Sequence, residues 1–409
     1  SEMSEEEKTI EHKLATTAIH AGEVHDPLGS HINPIYQTST FVHEDFEAIE
    51  SWGRGEREAY TYSRGDNPTR EVLAQKIAAL EAYGMENADA VSAMIFSSGM
   101  GAISAAILGI VSAGDHIITQ QVLYGSCDHL FTEQLPNYNI TISRIRGLEA
   151  EALEAELAKY PNTKVVYLES PANPSMTIID IEETAHIAHA HGAKLVVDNT
   201  FASPILQQPL ALGADVVVHS TTKFINGHGT VIGGAVVSAD AEYMENGPGK
   251  KLRFMGGAAP SAFDCWLTTI GLKILPLRMS QPRINAKVVA EFLDDHAKVE
   301  QTYWPGLPSH PKHDVAARQM SDFGAMISID LGSYAAAGRF MSGLSLCSLG
   351  VSLGNVDTLV QHPASMTHRM LSDEGRAASG ITPGLVRLSV GIEDADDIVA
   401  DLRNALTNV

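Results

Sequence analysis

Cysteine is scarce in this chain: Cys127, Cys265 and Cys347 are the only three in 409 residues. Thiols so few and so scattered make neither a disulfide framework nor a zinc-ligand pattern, and a reducing cytoplasm is the expected setting. Positive charge is also short, with 28 Lys and Arg against 50 Asp and Glu and a formal net charge of −22. That balance argues against nucleic acid or an anionic membrane as the main partner, because phosphate-rich surfaces need a basic footprint. It leaves room for a local pocket that takes one phosphate or carboxylate. No apolar run approaches membrane-spanning length, and the opening Ser-Glu-Met-Ser-Glu-Glu-Glu-Lys contains no apolar signal core. The glycines at 227, 229, 233 and 234 do not form a Gly-x-Gly-x-x-Gly between a strand and a helix, so no dinucleotide loop is expected. A helix over 181–191 carries His186, His189 and His191, but no Cys or Glu pattern accompanies them, and no metal site is predicted.

What is present describes an ordinary globular protein: 44% hydrophobic residues, a mean hydropathy near zero, and a length suited to two or three domains. Residues 1–13 read as frayed or weakly helical, and 14–70 as loop apart from a short helix at 46–52. A structureless stretch of that length suits an arm packed on another subunit better than an internal loop. Beyond it the periodicity alternates. Helix is predicted at 71–83, strand at 93–96, and helix to about 111 after Ser97-Ser98-Gly99-Met100-Gly101; strands follow at 116–119, 164–168, 195–198, 216–219 and 235–238. This alternation predicts an α/β architecture with a mainly parallel sheet covered by helices on both faces. The Gly- and Ala-rich stretch 245–260 reads as a boundary. After it come a long helix from about 263, strands near 325–331, 346–349 and 386–390, and helices at 335–343, 355–360 and 395–407.

Two strand ends carry the chemistry. Val-Val-Asp-Asn-Thr-Phe-Ala-Ser-Pro at 196–204 and Val-Val-Val-His-Ser-Thr-Thr-Lys-Phe-Ile-Asn-Gly-His at 216–228 are short β-branched runs that open into polar clusters. Buried parallel strands look this way where their carboxyl ends form a site. One end offers Asp198. The other offers Lys223 behind Ser220, Thr221 and Thr222. Each residue alone is most simply a surface group. Together they supply what a pyridoxal phosphate site needs: an amine to condense with the aldehyde, hydroxyls for the phosphate, and a carboxylate to keep the pyridine nitrogen protonated. The turn Ser98-Gly99-Met100 at a helix start adds free amides and a dipole for the same phosphate.

Asp-Asn-Thr-Phe-Ala-Ser-Pro, Gly-Ala-Asp-Val-Val-Val-His-Ser-Thr-Thr-Lys-Phe and Asn-Gly-His resemble the Cys/Met-metabolism family of pyridoxal phosphate enzymes, and the resemblance runs from about Thr16 to the C-terminus. It implies the type I, aminotransferase-like fold. Its parts would be an N-terminal arm over 1–65, a cofactor-binding domain over 66–262 with a seven-stranded-type sheet, and a smaller α+β domain over 263–409. It also implies a homotetramer of two intimate dimers. In that arrangement Tyr62 and Arg64, in Tyr-Ser-Arg before Asn-Pro-Thr, reach the phosphate of the neighbouring subunit's cofactor, with Tyr62 also near its substrate; an arginine fork suits phosphate oxygens. Within the subunit the resemblance assigns the cofactor to Lys223, Asp198, Ser98, Gly99, Met100, Tyr124, Ser220 and Thr222. Tyr124 stacks on the ring and assists the leaving group. Asn173, Ser352 and Arg387 would attend the substrate carboxylate; independently, Arg387 lies in the strand-like Leu-Val-Arg-Leu-Ser-Val, where a guanidinium needs an anion. An internal salt bridge is the alternative for it.

Position 126 departs from the pattern, since relatives often place cysteine or glycine there and this chain has Ser126, with Cys127 one residue late. Gln-His-Pro-Ala-Ser-Met-Thr-His at 361–368 is most similar to methionine γ-lyases. Cystathionine lyases often place glutamate where this chain has Thr61 and Val351, which leaves less to hold a distal ammonium. The implied activity is therefore α,γ-elimination from a γ-thio-substituted L-amino acid, L-methionine first. The alternatives are γ-replacement by an O-acylhomoserine sulfhydrylase or cystathionine synthase, cystathionine γ-lyase activity, or an unusual γ-leaving group. A binding protein without catalysis fits poorly with so full a set of reactive residues.

Overall fold

The computed structural model describes residues 12–24 and 26–409, so most of the stretch expected to be frayed, 1–11, lies outside the described residues. Short, mostly buried runs build seven strands: β1 (Ser92–Phe96), β2 (His116–Gln120), β3 (Thr141–Ile145), β4 (Thr163–Glu169), β5 (Lys194–Asp198), β6 (Val216–His219) and β7 (Gly234–Ser238). They join in one sheet in the order β1-β7-β6-β5-β4-β2-β3. The pairings from β6 through β5, β4 and β2 to β3 are parallel, while β7 runs antiparallel to both β6 and β1.

The side-chain period of two sorts these strands onto two apolar layers. Leu195, Val197, Val217 and Val237 face one layer, with Leu73, Ile77 and Leu80 of a helix over Pro68–Glu81. Val196, Val216, Val218 and Val236 face the other, with Ala102, Ile103 and Ala106 of a helix over Gly99–Leu108. In order from the N-terminus, the first four α-helices are α1 (Leu14–His20), α2 (Phe46–Gly53), α3 (Pro68–Glu81) and α4 (Gly99–Leu108). A second sheet of five strands follows, ordered β10-β11-β12-β9-β8 from β8 (Gln301–Tyr303), β9 (Met326–Asp330), β10 (Ser348–Leu349), β11 (Leu359–Gln361) and β12 (Leu385–Ser389). Its core includes residues of the helices Leu275–Asp294, Tyr334–Ser342 and Ala395–Leu406. Among the described residues no helix is long and apolar enough to cross a membrane.

Several sequence expectations need correction. The 14–70 stretch contains α1 as well as α2, and α3 begins at Pro68 rather than 71. Asn67 starts α3 by accepting the Thr69 amide at 3.0 Å, with proline in the first turn, where its missing N–H costs nothing. The long helix from 263 is two helices, Ala262–Lys273 and Leu275–Asp294, with Pro276 opening the second. The 245–260 boundary contains a helix, Pro248–Gly256. No helix forms at 355–360. Glu393 takes both the Thr358 amide (2.6 Å) and hydroxyl (2.9 Å), and β11 starts at the next residue. Strands β3 and β8 and the helix Ala150–Lys159 lie where no element was expected.

Candidate active site

The carboxyl ends of β4, β5 and β6 open on a cavity of about 390 Å³, which β12 and the 351–353 segment close from the second sheet's side. Asp198 is the last residue of β5. Its Oδ1 accepts the Thr200 amide at 3.0 Å, and the Tyr167 hydroxyl lies 3.5 Å from Oδ2. Burial pushes its acidity toward the neutral form, and the Thr200 hydrogen bonds and the charge of His219 oppose that push. Lys223 follows β6 through a tight turn and donates from Nζ to Ser352 Oγ at 3.1 Å. Burial, with the Arg387 cation as the lesser cause, lowers its pKa to about 8. An amine so poised is neutral often enough near neutral pH to act as a nucleophile or base.

Ser98, Gly99, Met100, Ser220 and Thr222 line the same cavity. Ser98 caps α4, its Oγ accepting the Gly101 amide at 2.9 Å, so the free amides at the start of α4 face Ser220 and its neighbours. A Cβ on Gly99 would stand 2.8 Å from Ser220 Cβ, so only glycine permits this approach. Thr222 Oγ1 accepts the Gly233 amide at 2.9 Å. Hydroxyls, helix-start amides, a poised lysine and a half-buried carboxylate thus converge as a phosphorylated aldehyde with a pyridine ring requires. The residues fit pyridoxal phosphate.

Arg387, in β12, also faces this space. It is almost wholly buried, donates to Asn173 Oδ1 at 2.8 Å and to the Ser352 carbonyl at 2.7 Å, and lies 5.9 Å above the Phe201 ring. Among the described residues no carboxylate pairs with it, and its buried Nε has no partner. Burial lowers its pKa to about 9. The internal salt bridge weighed as an alternative is therefore absent among the described residues. Ser352, between Lys223 and Arg387, holds a φ of 136°, a conformation L-residues rarely adopt outside over-determined sites.

Tyr124 lines the cavity half-buried, its amide donating to Glu169 Oε1 at 2.8 Å. The next residue must be glycine, because a Cβ at 125 would lie 2.1 Å from the Thr367 carbonyl. Glu169 had no assigned role in the sequence, although its place at the end of a buried strand, like that of Asp198, was the available signal. It stands in register with Asp198, and burial together with the Asp198 charge pushes its pKa well up. Thr200, Phe201, Leu353 and Thr367 are further cavity residues that no motif marked.

Three expected residues lie elsewhere. Tyr62 and Arg64 are exposed, with Arg64 stacked 5.3 Å from the Tyr62 ring centroid and 4.7 Å from that of Phe254. Their turn is held from below by Arg70, which donates to the Ser63 carbonyl at 2.8 Å, and by Arg253, which donates to the Gly65 carbonyl at 2.7 Å. Ser126 is exposed on the helix Gly125–His129 and does not reach the cavity of its own subunit. Cys127 is fully buried, which pushes its thiol pKa up. His189 bonds Asp215 at 2.7 Å.

The model of the Cys/Met metabolism PLP-dependent enzymes matches residues 15–407. The L-methionine gamma-lyase of Fusobacterium nucleatum subsp. polymorphum is 46% identical, over 98% of this chain and all of that protein. The cystathionine gamma-synthase of Mycobacterium tuberculosis is 41% identical over 96% of each. The crystal structure of cystathionine gamma synthase from Xanthomonas oryzae pv. oryzae, in complex with cystathionine, superposes with a TM-score of 0.89 at 40% identity, covering 97% of this chain and 98% of that one. With a match spanning nearly every residue and a cavity built for the cofactor, this chain belongs to the Cys/Met-metabolism family of PLP-dependent enzymes.

Proposed function

We propose that the protein is a carbon–sulfur γ-lyase that converts L-methionine and water to 2-oxobutanoate, ammonia and methanethiol. The observation that carries the reading is Arg387, a buried cation with no acid partner among the described residues, beside a poised lysine in a cavity whose lining carboxylates among those residues are Asp198 and Glu169. Such a cavity suits an α-carboxylate at one end and an uncharged distal group at the other. Val351 is on its wall and Thr61 is not, and neither brings an acid for a distal ammonium. The full-length likeness to L-methionine gamma-lyases supports the same choice.

Bound pyridoxal phosphate supplies the electron sink for negative charge at the substrate's reacting carbons. Ser98, Gly99, Met100, Ser220 and Thr222, which line the cavity, would hold its phosphate, and Asp198 its ring nitrogen. Arg387, with Asn173 and Ser352, receives the substrate carboxylate. Lys223, its pKa lowered by burial, would be the base that takes the α-proton and then serves the β-carbon. Tyr124 gives a proton to the departing thiolate. Division of the chain into an arm (1–65), a cofactor domain (66–262) and a C-terminal domain (263–409) accompanies this reading. So does a homotetramer in which the exposed Tyr62 and Arg64 complete a neighbour's site.

The test is incubation of the cofactor-loaded protein with L-methionine alone. Release of 2-oxobutanoate and methanethiol in equal amounts supports the lyase. The 41% identity to a cystathionine gamma-synthase favours the second reading, γ-replacement. If methionine is untouched while an O-acylhomoserine with cysteine or sulfide yields a new thioether or thiol, that second reading stands instead.

A further inference from the structure

On the face of the large sheet opposite the cavity lies a second polar cluster that the proposed reaction does not use. Because side chains alternate, the residue next to each cavity group points away from the cavity. Glu169, Asp198 and Ser220 line the cavity, while their neighbours Ser170, Asn199 and His219 are buried on the other side. Glu81, the last residue of α3, meets two of the three. Its Oε1 accepts from Asn199 Nδ2 at 3.1 Å and is hydrogen-bonded to His219 Nε2; Glu81 and Asn199 are 0% exposed and His219 is 2% exposed. Gln207 extends the cluster to the third, its Nε2 donating to Asn199 Oδ1 at 3.0 Å and to the Ser170 carbonyl at 2.7 Å. Asn199 also returns a bond from Nδ2 to the Gln207 carbonyl at 2.8 Å.

We propose that Glu81 and His219 are a positioning pair: a buried carboxylate–imidazole contact that ties together the ends of β5 and β6 from behind and so sets Asp198 and the Ser220–Lys223 turn relative to the cofactor. The inference rests on the reading of Asp198 and Lys223 as cofactor ligands. A carboxyl taken wholly out of water is costly unless hydrogen-bonded, and among the described residues Glu81 Oε2 has no partner, so the contacts of Oε1 with His219 and Asn199 are what satisfy this side chain. A proton on His219 would also act on Asp198 through the sheet, where it favours the carboxylate against burial. The other groups around Asp198 are Glu169, which opposes that charge, and Tyr167 and Thr200, which donate to it. Apolar residues of similar volume would serve packing alone as well. A buried polar pair at this place is explained by what it does to the strand ends.

The experiment compares cofactor-loaded wild type with Glu81→Gln, His219→Gln and Ile77→Val, the last an apolar change on the same face of α3. Three quantities are read: the dissociation constant for pyridoxal phosphate, the pH midpoint of the cofactor's visible absorbance, and kcat and KM separately. Glu81→Gln and His219→Gln are expected to weaken cofactor binding roughly tenfold or more, to move the absorbance midpoint, and to lower kcat with little change in KM. Ile77→Val is expected to leave all three near wild type at whatever cost in Tm. If the two polar variants lose Tm but keep the cofactor affinity and the midpoint, the pair is structural only and the proposal is overturned. Should Glu81→Gln not fold, His219→Gln decides by the same readings. A wild type that takes up no pyridoxal phosphate would instead sink the cofactor reading beneath it.

Discussion

The strand ends around Lys223 and the turn around Arg64 both present cations, but under opposite conditions. Lys223 is half-buried and Arg387 buried; they share Ser352 and lie in a cavity whose other walls come from the same chain. Arg64 lies in the open, stacked on Tyr62 and Phe254, on a turn that Arg70 and Arg253 hold in shape. A buried cation without an acid is an unfinished site inside the subunit. An exposed arginine on a braced turn is a finished shape with nothing yet to hold. The first finds its anions in cofactor and substrate, whereas the second, on the proposed reading, finds its phosphate in another subunit.

The sharpest way to break this comparison is Lys223→Ala. It should abolish the visible absorbance of lysine-bound cofactor and lower turnover by at least about 10⁴-fold, since nucleophile and base go together. Retained turnover would take the chemistry away from the strand ends. In the cofactor-free wild type, the rate of pyridoxal phosphate capture should climb with pH through about 8, where Lys223 loses its proton. Arg387→Met should move that midpoint upward, because a neighbouring cation has been removed.

Next in size is the effect of Arg387→Met on the substrate. Removing one partner of a buried charge pair costs on the order of 3 kcal/mol, so kcat/KM should fall about 100-fold, chiefly through KM. A fall in Tm with KM unchanged would make Arg387 a structural residue. For the turn, subunits carrying Arg64→Ala and subunits carrying Lys223→Ala should each be nearly inactive, while random mixing should restore about a quarter of the sites. Verified mixed dimers without activity would return Arg64 to its own subunit.

The smallest effect concerns stability. His368, next to the cavity residue Thr367, is buried, with Nε2 donating to the Leu123 carbonyl at 3.0 Å, and burial lowers its pKa to about 4. Its unfolded value is near 6.5. Below that pH the unfolded chain binds the proton that the folded one refuses, so its contribution is full above about 6.5 and is lost as pH falls toward 4. The loss approaches about 3 kcal/mol. Replacing His368 by Gln should flatten this part of a Tm-against-pH curve, whereas Arg64→Ala should leave it unchanged.

The large sheet was legible in the sequence to the extent that each strand carried its own pattern. β5 and β6, each with three apolar residues before a polar cluster, fell within a residue of their observed ends. β3, whose residues are half-exposed, offered no such pattern. Helix α1 was hidden because its seven residues bury only Ala18. The apparent helix at 355–360 failed for a tertiary reason, since Glu393 holds Thr358 in an extended path. Among site residues, Asp198, Lys223 and Arg387 announced themselves as charges set in or beside apolar strands. Glu81 and His219 did not, because their meaning lies in each other and they stand 138 residues apart.

By itself, then, the sequence determined which segments could be buried strands and which reactive groups stood at their ends, because the side-chain period and the cost of burying charge act over a few residues. Only the tertiary structure decided which of those groups meet. Lys223 finds Ser352 across 129 residues and Arg387 finds Asn173 across 214, pairings set by the order of strands and the closing of one sheet upon another. It likewise decided that Arg64 and Ser126 stay outside the cavity their own chain builds, since the braced turn and the short helix that carry them face away from the strand ends.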